Sequence, residues 1–288
     1  GDVYKRQIYE STSRYLNDTA ILGGGGTDTI SIDVGSQSYS FADADFAKVD
    51  DAEKLIIIGD NADINITLGT EATLGFGNIV ASVATSSMKI ELDTRLGSVD
   101  IDATGMNAAI EITQSTNAGL VVVGSTQDDI LRGGDGDDRL NGSNGNDTLD
   151  GGSGDDELLG GNGFDTLTGG SGADIFSSYS GSDRDISAPA VTDIITDFKA
   201  SDNDAIKGAW GQGTSSNYAE DSTAFTDLAA LLTAADSHLN GTIKYFAGTV
   251  QSTGYTYLIT DKDGIGWTDV IQLNNTTLGD IGFTNLTS

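Results

Sequence analysis

The sequence predicts an all-β chain whose centre is a parallel β-solenoid. Three observations support this prediction. A nine-residue repeat fills residues 124–177, segments that alternate apolar with polar residues precede it, and strand patterns with one helical pattern follow it. We therefore predict a β-solenoid-like region over 8–123, the repeat solenoid over 124–177 and a small, mostly-β region with one helix over 178–288.

The net charge and the missing residue types exclude several classes of function. The 288 residues hold 44 Asp and Glu against 14 Lys and Arg, a formal net charge of −30, which disfavours nucleic acid and anionic membranes as partners. There is no cysteine and only one histidine, His238, so a disulfide framework, a cysteine-ligated metal and a histidine-based triad are excluded within this chain. No stretch approaches the roughly 18 apolar residues of a membrane-spanning helix, and we expect no membrane insertion.

Six consecutive nonapeptides share one register. In each, the first residue is Gly, the sixth is Asp and the eighth is large and apolar. A flexible Gly- and Asp-rich linker is the alternative interpretation, but a linker has no reason to place a large apolar residue every nine positions. The units are GSTQDDILR (124–132), GGDGDDRLN (133–141), GSNGNDTLD (142–150), GGSGDDELL (151–159), GGNGFDTLT (160–168) and GGSGADIFS (169–177).

The recurring residues of the nonapeptide each have a structural or ligand-binding role. Glycines at the first, second and fourth positions allow positive φ and close approach of the backbone, which turns carbonyl oxygens into the loop. The Asp at the sixth position adds charge, and oxygen donors without His or Cys favour Ca²⁺ over zinc or copper. The last three residues form a short strand whose large residue points inward. Two nonapeptides then make one coil, so loops on one edge recur every 18 residues.

The pattern closely resembles the GGxGxDxUx nonapeptide of RTX proteins, which forms a parallel β-roll that binds calcium. The resemblance implies about four enclosed Ca²⁺ sites, between loops 124/142, 142/160, 133/151 and 151/169. Gln127 replaces the fourth-position Gly, and Ser125 and Ser143 replace the second, so the first loop departs most from the pattern. The metal ligands that the resemblance implies are Asp129, Gly133, Asp135, Gly136, Asp138, Gly142, Asn144, Gly145, Asp147, Gly151, Ser153, Gly154, Asp156, Gly160, Asn162, Gly163, Asp165, Gly169, Ser171, Gly172 and Asp174.

The region before the array consists of short strand patterns. Apolar pairs begin at 90, 99, 110 and 121, a spacing close to that of the nonapeptides, which favours a β-solenoid that stacks onto the roll. A β-sandwich is the alternative, since sandwiches also show short strands at this spacing. The stretch 41–60 resembles β-rich repeats of large RTX surface proteins. The opening GDVYKRQ (1–7) matches nothing downstream, and we interpret it as a cloning or sequence-assembly remnant.

The region after the array resembles the C-terminal part of proteins exported by type I (ABC-transporter) secretion. The resemblance rests on the segments GADIF (172–176), DIITDFK (193–199) and DNDAI (202–206). It implies a type I ABC exporter as a partner and an uncleaved signal near the C-terminus. Apolar residues between Phe225 and Leu239 fit one helical face, and strands are predicted at 242–246, 255–260 and 270–273.

Four features outside the array have two interpretations each. Gly23–Ser31 fits the nonapeptide template with Asp28 at its sixth position, and is either a lone calcium loop or a Gly turn before a strand. Asp261, Asp263 and Asp269 have calcium-loop spacing, although a hairpin turn is favoured. His238 is expected to end the helix rather than bind metal. Tyr255 and Tyr257 are expected to pack on one strand face rather than bind carbohydrate.

Two functional hypotheses follow. The first is a secreted, non-catalytic calcium-binding module of an S-layer-like or adhesin-type cell-surface protein, with surface components or other copies as candidate partners. The second is the secretion and folding tail of an RTX protease or lipase whose catalytic domain lies upstream. The chain contains no HExxH, G-x-S-x-G or P-loop motif, which favours the first hypothesis.

Overall fold

The computed structural model describes the chain in part. The described residues are 119–177, 193–207, 218–239, 243–260 and 269–287, together with shorter segments before residue 119, namely 3–7, 21–22, 29–35, 39–41, 49–50, 54–59, 64–68, 78–83, 88–92, 99–103 and 110–114. The chain forms two compact units, Gly1–Asp147 and Thr148–Ser288. Their boundary falls inside the nonapeptide array, and the domain limits predicted from the sequence stay predictions.

The first unit is built of parallel strands that alternate between two sheets. One sheet has the order β1-β3-β6-β8-β10-β12-β14, the second has the order β4-β7-β9-β11-β13, and β2 pairs with β5. The strands are β1 (Val3–Gln7), β2 (Ile21–Leu22), β3 (Thr29–Gly35), β4 (Tyr39–Phe41), β5 (Val49–Asp50), β6 (Lys54–Gly59), β7 (Ile64–Leu68), β8 (Asn78–Val83), β9 (Met88–Leu92), β10 (Val99–Asp102), β11 (Ile110–Gln114), β12 (Leu120–Val123), β13 (Ile130–Asp135) and β14 (Arg139–Asn144).

The coils of the first unit shorten along the chain. Partner residues in neighbouring strands are 26 residues apart for Val3 and Thr29, 24 for Lys54 and Asn78, and 18 for Val121 and Arg139. Every strand pair among the described residues of this unit is parallel, which is the pattern of a solenoid and not of an antiparallel sandwich. The solenoid alternative for residues 32–123 is therefore the one that the structure supports. Strand β1 joins this solenoid, and the interpretation of 1–7 as a remnant stays a prediction.

The second unit continues the same pattern and then changes to antiparallel pairing. Its sheets have the orders β16-β18-β20-β25 and β15-β17-β19-β24-β23-β22-β21, and in the described part of this unit only β22-β23-β24 are antiparallel neighbours. The elements are β15 (Thr148–Ser153), β16 (Glu157–Asn162), β17 (Thr166–Ser171), β18 (Ile175–Ser177), β19 (Asp193–Ile195), β20 (Ala205–Lys207), β21 (Tyr218–Phe225), α1 (Leu228–His238), β22 (Tyr245–Val250), β23 (Thr256–Thr260), β24 (Asp269–Leu273) and β25 (Leu286–Thr287), with 3-10 turns at Ala200–Asp202, Leu278–Asp280 and Phe283–Asn285.

The array strands are longer than the sequence analysis predicted. Each full strand has six residues, the last three of one nonapeptide and the first three of the next, as in Thr148–Ser153. The reason is that the ladder continues through the glycines, since Gly152 pairs with Gly170 and Ser153 with Ser171. The 18-residue register and the inward eighth position are as predicted. The eighth-position residues Leu131, Leu140, Leu149, Leu158, Leu167 and Phe176 are all buried.

The single helix of the described residues packs on the antiparallel strands. It begins after Asp227, whose side chain accepts a hydrogen bond from the Ala230 amide, an N-cap that the sequence analysis did not include. Leu231, Leu232 and Ala235 are buried against a cluster that includes Phe246. The predicted helical face is therefore correct, and the helix begins three residues later than the apolar pattern does.

Candidate metal-binding loops

Positive φ angles recur at two positions of the loops. The second-position residues Gly134, Ser143, Gly152, Gly161 and Gly170 have φ between 80° and 111°, and the fourth-position residues Gly136, Gly145, Gly154, Gly163 and Gly172 have φ between 116° and 137°. L-residues with a side chain rarely adopt these angles, which explains why Gly dominates both positions. The first-position glycines have no positive φ, so for them the predicted positive φ is wrong and only the predicted close approach applies.

The first-position glycines are needed for space. A Cβ built on Gly169 would overlap Oδ2 of Asp174, the sixth residue of the same loop. A Cβ on Gly151 would overlap Oδ2 of Asp156 and lie 2.8 Å from the carbonyl oxygen of Gly169, one coil later. A carboxylate oxygen and a carbonyl oxygen from successive coils therefore converge beside Gly151. Carboxylate and carbonyl oxygens are the ligand types that a calcium ion prefers, and these two would form part of its set of about 6–8.

The sixth-position aspartates link successive coils. The Asp129 amide donates to Oδ1 of Asp147 at 2.7 Å, and the Asp156 amide donates to Oδ1 of Asp174 at 3.0 Å. All six aspartates are only 1% exposed. Oδ1 thus has a structural role, and the oxygen that remains for a ligand is Oδ2. This second oxygen is buried and accepts no hydrogen bond in Asp138, Asp147, Asp156, Asp165 and Asp174, although each residue is bonded through other atoms.

Burial changes the protonation of these carboxyl groups. Desolvation raises the pKa of Asp138 to about 6, and the charges of Asp137 and Asp135 add to this effect. Desolvation likewise raises the pKa of Asp174 to about 6, with Asp204 as the first contributing charge. A carboxylate that is buried without a cation binds protons more tightly than an exposed one. A divalent cation at Oδ2 would reverse this shift.

The predicted ligand residues take consistent places in the loops. The first-position glycines and the sixth-position aspartates are buried, the fourth-position glycines are half-buried, and the third-position residues are exposed except for the half-buried Asn162. Among the described residues, no three His, Cys, Asp or Glu side chains are grouped as a metal cluster. Backbone carbonyl oxygens would have to complete the coordination, and the convergence beside Gly151 fits that requirement. The role of each residue as a ligand stays a prediction.

Three aspartates after the array were missed by the sequence analysis. Asp193 and Asp204 accept hydrogen bonds from the amides of Asp165 and Asp174, at 3.1 Å in both cases, as a further nonapeptide Asp would. Asp197 accepts from the amides of Gly169 and Gly170, at 3.0 and 2.8 Å. The available signal was the Asp-x-apolar triplet at 193–195 and 204–206. The nine-residue spacing is lost there, because the coil intervals grow to 28 and 30 residues.

The remaining candidates have separate outcomes. Residues 23–28 and 261–268 lie outside the described residues, as does the side chain of Asp269, so both additional calcium loops stay untested predictions. Strands β23 and β24, which flank 261–268, pair antiparallel, as a hairpin requires.

His238 ends the helix and stacks on Phe246, at 4.8 Å between ring centroids, as a structural residue would. Tyr257 is 3% exposed but Tyr255 is 38% exposed and precedes the strand, so only Tyr257 packs as predicted.

The geometry defines a parallel β-roll whose glycine-rich turns each carry one buried aspartate. The comparison with protein families agrees with it, since the RTX calcium-binding nonapeptide repeat (4 copies) matches residues 121–149 and 150–185. The predicted resemblance is thereby confirmed, and residues 121–185 form a calcium-binding RTX module. No curated protein matches the chain. Within the described residues, none of the helical structure is long and apolar enough to cross a membrane.

Proposed function

We propose that this chain is a non-catalytic module of an exported protein, and that its β-roll folds when it binds calcium outside the cell. The observation that supports the proposal best is Asp174, whose Oδ2 is buried beside Gly169 without a hydrogen-bond donor. A buried carboxylate oxygen is costly unless a cation or a donor satisfies it. Calcium is the ion whose ligand preference fits carbonyl and carboxylate oxygens in glycine-rich loops.

Calcium would supply much of the folding free energy of the array. Residues 124–177 hold 12 Asp and Glu against Arg132 and Arg139, so the carboxylates repel one another in the absence of metal. Each nonapeptide buries only one large apolar residue, which limits the hydrophobic contribution. We expect about four enclosed sites, with affinities of the extracellular type, roughly 10⁻⁴ to 10⁻³ M.

A calcium-dependent fold suits type I export. The chain would stay unfolded at low cytosolic calcium, pass the ABC exporter and fold in a calcium-rich medium. We place the export signal within residues 222–288 and the mature protein outside the cell, as part of an S-layer-like or adhesin-type surface protein. The resemblance of 172–206 to type I substrates supports this placement.

Deletion of residues 222–288 tests the export role. The deleted and full chains would be expressed with a matching ABC exporter, and the protein in the medium measured by immunoblot. We expect loss of export from the deletion and normal export from a control that lacks residues 1–7. Undiminished export of the deletion would reject the signal and leave a structural role for this segment. An HExxH or G-x-S-x-G motif upstream in the full gene would instead favour the tail of an RTX enzyme.

A further inference from the structure

The first loop of the array, residues 124–129, has a different backbone from the loops that follow. Neither Ser125 at its second position nor Gln127 at its fourth has a positive φ. Substitution alone is not the reason, because Ser143 is also a second-position Ser and adopts φ 80°. The Ser143 hydroxyl donates to the Gly124 carbonyl oxygen at 3.4 Å, so this Ser side chain is accommodated within the usual loop geometry.

Ser125 instead closes the first loop on Asp129. The Ser125 amide donates to Oδ2 of Asp129 at 2.7 Å, and the Ser125 hydroxyl donates to Oδ1 at 2.8 Å. The Ile110 amide, from the preceding coil, donates to the same Oδ1 at 2.8 Å. The Gln127 amide donates to the Ser125 hydroxyl at 3.1 Å and thereby fixes its orientation. Ser125 itself is only 1% exposed, so these bonds are shielded from water.

The contrast with Asp174 is at the second carboxylate oxygen. In Asp174, Oδ1 accepts from the Asp156 amide and Oδ2 accepts nothing. In Asp129, both oxygens are engaged by donors of the protein. A cation at Asp129 Oδ2 would have to share this oxygen with the Ser125 amide, or displace that amide and leave it buried without an acceptor. A buried amide without an acceptor is unfavourable, because it has lost its hydrogen bonds to water and gains none from the protein.

We propose that loop 124–129 is a calcium-free end of the array, in which Ser125 takes the place of the ion at Asp129. The inference rests on the proposed calcium binding of the other loops, and it removes the site expected between loops 124 and 142, which leaves three of the four expected enclosed sites. Hydrogen bonds from the protein can form at any calcium concentration. The closure of this loop in the folded chain therefore does not itself require the metal.

Calcium stoichiometry of the full chain tests the proposal, measured by native mass spectrometry and by calorimetric titration with CaCl₂. The double variant Ser125→Gly/Gln127→Gly restores the two glycines of the consensus loop. We expect it to bind one more calcium ion per chain than the wild type. Ser143→Gly is the matched control, with unchanged stoichiometry. An unchanged stoichiometry in a double variant that is folded by circular dichroism would overturn the proposal.

A second pair of variants removes one carboxylate charge each. We expect Asp129→Asn to bind as many calcium ions as the wild type, because no ion is bound at this side chain in the proposal. Its Oδ1 still accepts from the Ile110 amide and the Ser125 hydroxyl, although the Nδ2 that replaces Oδ2 cannot accept from the Ser125 amide. We expect Asp156→Asn to bind at least one ion fewer. Loss of an ion from Asp129→Asn would overturn the inference about the first loop. A wild-type chain that binds no calcium would instead overturn the proposed function, so the two failures are distinguishable.

Discussion

At the scale of the residue, one buried aspartate per nonapeptide carries two roles. One oxygen of Asp174 holds the neighbouring coil through the Asp156 amide, and the other lies beside Gly169 with no donor. The same carboxylate therefore stabilises the fold through its hydrogen-bonded oxygen and destabilises it through the buried oxygen that has no donor. Its protonation and its occupation by a cation should compete.

Acid should partly replace calcium. Burial raises the pKa of Asp138 and Asp174 to about 6, so in the absence of metal the folded array binds protons more tightly than the unfolded chain. Stability contributed by these groups is present at low pH and is lost as the pH rises through about 6. We expect the far-UV β signal of the chain in EDTA to be stronger at pH 5 than at pH 7.5. With calcium present, we expect the half-saturating calcium concentration to rise as the pH falls. A β signal in EDTA that increases from pH 5 to pH 7.5 would contradict this expectation.

Gly172→Ala should destabilise the second unit. Gly172 has φ 137°, and an added Cβ would overlap the Gly154 carbonyl oxygen one coil away. Backbone strain of this kind costs about 1–3 kcal/mol, and the overlap adds to it. Gly279→Ala is the control, because its Cβ would meet only Thr277 Oγ1, at 3.7 Å. Thermal unfolding in saturating calcium measures both, and equal midpoints for the two variants would refute the strain argument.

At the scale of the element, the array ends where hydrogen-bonding aspartates replace the nonapeptide pattern. Asp193, Asp197 and Asp204 supply acceptors to the last loops, in the place of a further coil. These residues lie on strand β19, on the segment after it and immediately before strand β20. The segment 193–204 is therefore the cap of the last two loops in the second unit.

Removing one acceptor of this cap tests its contribution. Asp204 accepts from the amides of Asp174 and Lys199, at 3.1 and 2.8 Å, and is 4% exposed. We expect Asp204→Ala to lower the free energy of unfolding by about 1–3 kcal/mol, because both amides lose their acceptor. Asp202→Ala removes a half-exposed ion pair with Lys199 and an exposed hydrogen bond from the Ser201 hydroxyl, and should cost about 0–1 kcal/mol. Urea unfolding in calcium that gives similar losses for both variants would argue against the cap.

The helix contributes through its apolar face. Leu231 is fully buried, and a Cβ on Gly248 of strand β22 would overlap its Cδ1. We expect Leu231→Ala to cost about 2–5 kcal/mol, and Leu228→Ala, at a partly buried position, to cost less. Chemical unfolding in saturating calcium gives both values. A larger loss from Leu228→Ala would mean that the helix packs by a different face.

The sequence was informative wherever one spacing repeats. The eighth-position apolar residues predicted the coil, its 18-residue register and the inward core, because each coil has to bury the same position. Asp193 and Asp204 were missed because the intervals before them are longer and only a local triplet remains. The closure of the first loop by Ser125 was also not predictable, since Ser143 is at the same motif position and adopts the opposite sign of φ.

At the scale of the whole molecule, charge and composition limit which interactions can stabilise the folded chain. A chain with a formal net charge of −30 and no cysteine has neither disulfides nor a balance of charge to hold its acidic loops together. The two units use parallel coils with small apolar interiors, and both contain nonapeptide loops. We propose that calcium binding supplies the free energy of folding that compensates for the repulsion between the carboxylates.

Far-UV circular dichroism of the full chain during a calcium titration tests this central claim most directly. The spectrum in EDTA should show much less β structure than the spectrum in millimolar CaCl₂, with a cooperative transition between them. Magnesium at the same concentration should not replace calcium, because Mg²⁺ demands a tighter octahedral geometry, and it serves as the control for charge screening. The same β signal in EDTA as in calcium, or an equal response to magnesium, would contradict the claim that calcium drives the folding of the array.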